Sequence, residues 1–267
     1  MCEEDKENNE IDKVIDAISK GKEEKITVIM KNLMESILDM PKLQSPFVRG
    51  MNEEDHYTVT SMVTSRFEWI FEKGVIAIEK LDGTSVSIVV KNHDIIAIFN
   101  RTNRIPFWVK GGFRFVEGLQ KAIERDYLKL NELDDGQYFG ELIGPNVNGN
   151  PYKLDMHLWM PFLYLKEHYE YKFWNKDIVP LCAGKSDEER YEIIKEVFEG
   201  LWSLYKRKRS KTIDFGDVKD VNKDLGFEGM SAEGIVFYPP EWDGDYSKCC
   251  ELRRDMWSWF SGERHHI

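Results

Sequence analysis

Gly74-Val-Ile-Ala-Ile-Glu-Lys-Leu-Asp-Gly-Thr-Ser-Val-Ser-Ile-Val-Val90 is a strand, a turn and a second strand. The first run, Gly74–Glu79, is apolar, and the second, Thr84–Val90, alternates. Between them Lys80-Leu-Asp-Gly83 places a lysine at a strand end, where a sheet can hold it largely out of water. Desolvation disfavours the ammonium form, so such an amine loses its proton more readily and can attack an electrophile.

Outward from this stretch the chain reads as mixed α+β. Tyr57–Phe99 reads as β throughout, with Ser85–Val90, Lys91-Asn-His-Asp94 and Ile95–Phe99 forming a hairpin. Phe113, Val116, Leu119, Ile123, Tyr127 and Leu130 recur at helical spacing and predict an amphipathic helix. Gln137–Ile143 and Leu158–Leu165 read as strands, separated by the turn-rich loop Gly144-Pro-Asn-Val-Asn-Gly-Asn-Pro151. Ser186-Asp-Glu-Glu189 is a capping box opening a long helix to about Tyr205. Ala232–Tyr238 and Ser247–Arg254 are the last predicted strands. Residues 1–10 read as a disordered tail, 11–56 as a mainly helical extension and 57–267 as the main domain. The strand-then-helix alternation of a doubly wound sheet is absent, as are G-x-G-x-x-G and Walker A sequences.

Composition narrows the classes. No apolar stretch has the length of a membrane span, and the acidic N-terminus is not a targeting segment. Cys249 and Cys250 are adjacent while Cys2 and Cys182 stand alone, so neither a disulfide framework nor a metal-ligand spacing is present. A reducing, cytoplasmic location is the expectation. The net charge of −11 argues against a general nucleic-acid coat, but a local basic run remains: Lys206, Arg207, Lys208, Arg209 and Lys211. His157 and His168 are too far apart for a metal pair on one helix face, and Trp257 and Trp259 read as core packing.

Three further sets complement Lys80. Tyr138-Phe-Gly-Glu141 puts a carboxylate on an apolar strand, Glu233-Gly-Ile-Val236 puts one at a strand start, and Glu251-Leu-Arg-Arg254 ends the last strand in two guanidiniums. In this order the chain resembles the covalent nucleotidyltransferases, the polynucleotide ligases and mRNA capping enzymes. Lys80-Leu-Asp-Gly83 matches their K-x-D-G motif, and Arg101, Glu141 and Glu233-Gly-Ile-Val236 match the motifs that follow. Phe162 of Trp159-Met-Pro-Phe162 matches the base-stacking aromatic, with Tyr164 as a substitute, and Glu251-Leu-Arg253 falls on the final K-x-K or K-x-R. Glu79-Lys-Leu-Asp-Gly-Thr-Ser-Val-Ser-Ile88 and Phe139-Gly-Glu-Leu-Ile-Gly144 are most similar to RNA ligases of the phage and RNA-editing types.

The resemblance implies an ATP-grasp-like nucleotidyltransferase domain of antiparallel sheets flanked by helices. Only Met256–Ile267 follow the last motif, so no C-terminal OB domain is expected. It implies an ATP-dependent RNA ligase using Mg²⁺ or Mn²⁺ and acting on RNA with 5′-phosphate and 3′-hydroxyl ends. Lys80 would take AMP, and Asp82 would orient the site. Glu79 would accept from the adenine amino group, Phe162 would stack on the ring, and Glu141 and Arg101 would hold the ribose. Glu233 and Glu141 would bind the metal, Arg253 would contact phosphate, and Arg254 would face the other way. The basic run Lys206–Lys211 would meet RNA. Capping-type guanylyltransferase, DNA ligase and a catalytically weakened nucleic-acid-binding accessory protein are the alternatives. Glu251, where the family has a lysine, favours the last, because a carboxylate there repels a triphosphate; Lys248 is a possible replacement displaced to the other strand face.

Overall fold

The computed structural model describes residues 37–53, 56–106, 111–205 and 233–260. The chain divides into two compact units, Met1–Asp39 and Met40–Ile267. Almost all of the first lies outside the described residues, and with it the expected tail and most of the expected helical extension. The second unit begins ahead of Tyr57, because β1 (Phe47–Met51) pairs antiparallel with β2 (Tyr57–Val63).

Two further antiparallel sheets carry the architecture. One has the order β10–β9–β3, from β3 (Ile76–Lys80), β9 (Gly234–Tyr238) and β10 (Cys250–Arg253). The other has the order β6–β5–β4–β7–β8, from β4 (Thr84–Lys91), β5 (Asp94–Asn100), β6 (Asn103–Arg104), β7 (Gly136–Ile143) and β8 (Leu158–Pro161). Leu81-Asp-Gly83 is the whole link from β3 in one sheet to β4 in the other. The β4–β5 hairpin turns on Asn92 and His93, both at positive φ (51° and 63°), as the twist of a two-residue hairpin requires.

Side-chain alternation sorts the apolar residues into three cores. Ala77, Ile235, Phe237 and Leu252 join Phe47, Phe67, Trp174, Phe198 and Trp257 on one face of the three-stranded sheet. Ile78 and Tyr238, from the same strands, point the other way and meet Leu81, Ile143, Tyr152, Leu158 and Met160. Val86, Ile88 and Val90 of β4 pack with Ile98 and Trp159 against Phe115 and Leu119 of α1 (Phe113–Glu124).

Several local expectations need correcting. Ser65–Phe71 is a 3-10 helix, not strand; Phe67, Ile70 and Phe71 are its buried residues. The predicted apolar stripe of α1 is rotated: Phe113 and Ile123 are exposed, and Phe115, Gly118, Leu119 and Ala122 face the sheet. The helix stops at Arg125, before Asp126 at φ 59°, so Tyr127 and Leu130 reach the core from the following loop and a 3-10 turn. The strand predicted over Leu158–Leu165 ends at Pro161, and Phe162 opens α2 (Phe162–His168). Proline supplies no N–H to a ladder and is tolerated here at the end of an edge strand. The last predicted strand is shorter, with Tyr246–Lys248 a 3-10 turn before Cys250.

Two short segments, a π-helical turn (Trp174–Ile178) and α3 (Val179–Cys182), lead to the long helix α4 (Asp187–Tyr205). The capping box is present: Glu189 N–H donates to Ser186 Oγ (3.3 Å), and Ser186 N–H donates to Glu189 Oε2 (2.9 Å). No helix among the described residues is long and apolar enough to cross a membrane.

Candidate active site

Lys80 lies where the two sheets meet, at the end of β3 and on the strand face shared by Ile76 and Ile78. A cavity of about 390 Å³ opens there. Its wall includes Glu79, Arg101, Glu141, Phe162, Glu233 and Arg253, residues from six separate places in the chain.

Glu233 follows a segment outside the described residues and enters β9 through Gly234. Its N–H donates to the Lys80 carbonyl (3.0 Å), and its carboxylate accepts from Lys80 Nζ. Gly234 is paired across β9 with Lys80 on one side and Arg253 on the other. A Cβ at Gly234 would lie 2.7 Å from Arg253 Cα, so only glycine lets β10 approach this closely. Gly83 has the same need, since a Cβ there would lie 2.7 Å from Glu141 Cγ.

Arg253 is heavily engaged. Its Nη1 donates to Glu251 Oε1 (2.9 Å), Nε and Nη2 donate to the two oxygens of Asp255 (3.0 and 3.2 Å), and Nε lies 3.8 Å from Glu233 Oε1. Glu251 is two residues away on the same strand face, lines the cavity and is only 7% exposed. Arg254 leaves the strand as β10 ends; it is buried, with Nη2 3.8 Å from Asp82 Oδ2 and its guanidinium over the Phe260 ring. Lys248 is exposed and paired with Asp243 (2.5 Å), and is not among the residues lining the cavity.

The electrostatics depart from the expectation of a readily deprotonated amine. Burial alone would lower the Lys80 pKa, but Glu233, Glu141 and Glu251 together outweigh it and raise the pKa above the ordinary lysine value. The resting amine is therefore an ammonium. Glu141 on β7 is pushed up to about 8, mainly by burial, against the lowering effect of Lys80 and with a further rise from Glu233 and Asp82. Burial also raises the Glu251 pKa, opposed by Lys80 and Arg253.

The remaining predicted residues divide as follows. Arg101 is exposed at the cavity rim, in the tight β5–β6 turn, at φ 54°. Phe162 opens α2 and faces the cavity, edge-on to Tyr246 at 6.0 Å. Tyr164, its possible substitute, stacks on His168 and tilts against Tyr127 instead. Glu79 is buried, and alternation along β3 directs its side chain to the face opposite Lys80. The basic run Lys206–Lys211 lies outside the described residues.

Asp82 is held by groups that the motif pattern did not reveal. Asn148 Nδ2 donates to Asp82 Oδ1 (2.9 Å) and to the Gly83 carbonyl (2.5 Å), and Asp82 N–H donates to Tyr152 Oη (2.6 Å). Asn148 comes from the asparagine-rich loop, where Asn146, Asn148 and Asn150 have positive φ, and Tyr152 directly follows it. In sequence that loop carries only a turn signal. His157 anchors its base, with Nδ1 2.5 Å from Glu117 Oε2 and Nε2 2.8 Å from the Pro145 carbonyl. Lys42 also lines the cavity and has no sequence signal.

Among the described residues no group of three or more His, Cys, Asp or Glu side chains is arranged to hold a metal ion. Glu141 and Glu233 fit a cation that arrives with phosphate oxygens, since Mg²⁺ is commonly bound through one or two carboxylates plus substrate phosphates. The surplus of carboxylates around the Lys80 ammonium suits a positive ion.

The RNA ligase family model matches residues 73–251, and the chain belongs to that family. No curated protein matches. Among solved structures the chain is similar to Naegleria gruberi RNA ligase. A mutant with ATP and Mn is 16% identical, with a TM-score of 0.37, covering 80% of this chain and 59% of that one. The same ligase with PPi is 16% identical, with a TM-score of 0.36 and coverage of 80% and 61%. The chain thus spans about 60% of the length of those structures.

Proposed function

We propose that this protein is an ATP-dependent RNA ligase acting through a lysyl-AMP intermediate. The observation that carries the reading is the convergence of Lys80, Glu141, Phe162, Glu233, Arg101 and Arg253 on one cavity. Membership of the RNA ligase family supports it.

Neutral Lys80 Nζ attacks the α-phosphorus of ATP. A P–N bond forms, the bond to the bridging oxygen breaks, and pyrophosphate leaves. Glu233, already hydrogen-bonded to Nζ, is placed to take the proton. When bound by Glu141 and Glu233, Mg²⁺ or Mn²⁺ supplies the positive charge that offsets the carboxylates around Lys80 and stabilises charge on the α-phosphate. Phe162 stacks on adenine, and Glu141 and Arg101 hold the ribose; the Glu79 side chain, on the opposite face of β3, takes no part. Arg253 turns from its carboxylate partners to phosphate, and Asp82 keeps the Lys80 turn in place. AMP then passes to the 5′-phosphate of RNA, and a 3′-hydroxyl displaces it to seal the strand. We assign the RNA contact to Lys206, Arg207, Lys208, Arg209 and Lys211.

The test is covalent labelling. The protein is incubated with α-labelled ATP or GTP and Mg²⁺ or Mn²⁺, denatured, and assayed for retained label. Label from ATP in the wild type and none in Lys80→Ala is the expected result. Label only from GTP would mean a capping-type enzyme, and no label with either nucleotide and either metal would rule out the enzyme reading.

A further inference from the structure

The three-stranded sheet gives the cavity a charged end and an apolar one. Lys80, Gly234 and Arg253 are paired in one row across β3, β9 and β10. Along β3 and β9 from that row come Ile78 with Val236, then Ile76 with Tyr238. Ile78, Val236 and Tyr238 line the cavity, and Phe162 packs into the same apolar cluster. This is the end that suits a nucleobase.

Phe162 is weakly held by its own element. It is the first residue of a seven-residue helix, and its N-cap, Pro161, makes no side-chain cap. A ring so placed turns about its side-chain torsions unless a neighbour fixes it. Its aromatic neighbour among the described residues is Tyr246, with centroids 6.0 Å apart and planes at 61°. Tyr246 is not among the residues lining the cavity, so it touches Phe162 from behind the wall.

Tyr246 is itself fixed from several directions. Its ring is also edge-on to Phe139 of β7 (5.5 Å, 72°), Tyr238 of β9 (6.3 Å, 66°) and Trp242 (4.9 Å, 64°). Edge-to-face pairs are favoured because the positive ring edge meets the negative face. The short turn beneath it is tied down as well. Ser247 N–H donates to Asp245 Oδ1 (2.9 Å), Cys249 N–H to the Tyr246 carbonyl (3.1 Å) and the Trp242 indole N–H to the Asp245 carbonyl (2.8 Å). An aromatic from each large sheet thus sets the ring that meets Phe162.

We propose that Tyr246 is a positioning residue for nucleotide binding, holding Phe162 at the angle from which its face stacks on adenine. The inference rests on the reading of Phe162 as the base-stacking residue and adds the residue that acts through it. A ring ordered before the nucleotide arrives spares binding the cost of ordering it. The effect belongs to the base end alone: AMP and ATP depend on Phe162, and a bare polyphosphate does not.

The experiment compares the full chain with Tyr246→Leu, Tyr246→Phe, Phe162→Leu and the Tyr246→Leu/Phe162→Leu double variant. AMP affinity is measured by calorimetry, half-saturating ATP by single-turnover adenylation, and the phosphate end by inhibition with inorganic tripolyphosphate. Tyr246→Leu should weaken AMP and raise half-saturating ATP roughly two- to tenfold, the range of one edge-to-face contact. The rate at saturating ATP and the inhibition by tripolyphosphate should stay at wild-type values. Tyr246→Phe keeps the ring and should match the wild type. In the Phe162→Leu background, Tyr246→Leu should cost nothing further, because the two rings act as a unit. Unchanged AMP affinity in Tyr246→Leu overturns the proposal. So does an equal further loss in the Phe162→Leu background, or a matching loss of tripolyphosphate inhibition; either would make Tyr246 general packing. Thermal unfolding identifies a variant that loses the fold; Tyr246→Met, which fills the space without a ring, then takes the measurement. Wild-type AMP affinity in Phe162→Leu would instead remove the stacking role of Phe162, and a wild-type protein that takes no label would remove the ligase reading.

Discussion

Lys80 carries its proton in the resting site because three carboxylates outweigh its burial. In the proposed reaction the attacking amine must be neutral, so Lys80 would need the positive charge that a nucleotide-bound metal would supply in order to lose its proton. Its position depends on a neighbour outside every motif. Asn148 donates from one amide nitrogen to both Asp82 and Gly83, pinning the turn that follows Lys80. With φ at 44°, Asn148 has a backbone that glycine also accepts. Asn148→Gly therefore removes the amide without straining the loop, and Asn148→Asp sets a carboxylate against Asp82. Adenylation should slow by roughly tenfold or more in the first, as expected for a misplaced reacting group, and further in the second. ATP affinity should change less than the adenylation rate, because neither variant removes a nucleotide contact. Rapid-quench measurement of both parameters decides this; equal rates in Asn148→Gly and wild type would show that the amide positions nothing.

At the level of elements, the site is a junction. β3 delivers Lys80, a three-residue link crosses to β4, and β7 brings Glu141 alongside as the partner of Ser85. β9 and β10 close the other side, with Gly234 between Lys80 and Arg253. Gly234→Ala should wedge β10 outward, costing about 1–3 kcal/mol of stability as overpacking does and moving Arg253 and Glu233 from the cavity. Urea denaturation and adenylation assays check both effects. Gly50→Ala is the control: its Cβ meets only Thr60 Cγ2, at 3.6 Å, and wild-type behaviour is expected. If Gly234→Ala were as stable and active as the control, close strand approach would not be what this motif glycine provides. The strands with continuous or alternating apolar patterns are legible in the residue order, as is the capping box of α4, because these signals lie within one element. Phe162 at a helix start, the 3-10 helix Ser65–Phe71 and the rotated stripe of α1 are not. Each is settled by which neighbour covers the segment, as when Leu119 and Ala122, rather than Phe113, meet the five-stranded sheet.

For the larger unit as a whole, the crowded carboxylates make folding stability depend on pH. Glu141 has a folded pKa of about 8 against 4.5 for the unperturbed group. Between those values the native state holds a proton that the unfolded chain releases, so stability falls as pH rises. Glu251, also raised, adds to the same slope. The raised Lys80 pKa acts only above its ordinary value of 10.5, outside this window. In EDTA, the melting temperature of the wild type should therefore drop between about pH 5.5 and 8.5, and Glu141→Gln should flatten much of that drop. An identical slope in the two proteins, read by thermal unfolding, would exclude Glu141 as its source.

By itself the sequence determined that this chain forms antiparallel strand pairs with flanking helices, and that Lys80, Arg101, Glu141, Glu233 and Arg253 occur in the order of a nucleotidyltransferase. Those facts depend on local periodicity and on residue types at set positions, which a linear chain displays directly. The tertiary structure alone decided the charge state of Lys80, the engagement of Arg253 by Glu251 and the presence of Lys42 and Asn148 at the site. These follow from distances between groups far apart in sequence, and electrostatic and hydrogen-bond energies depend on those distances, which no spacing along the chain encodes.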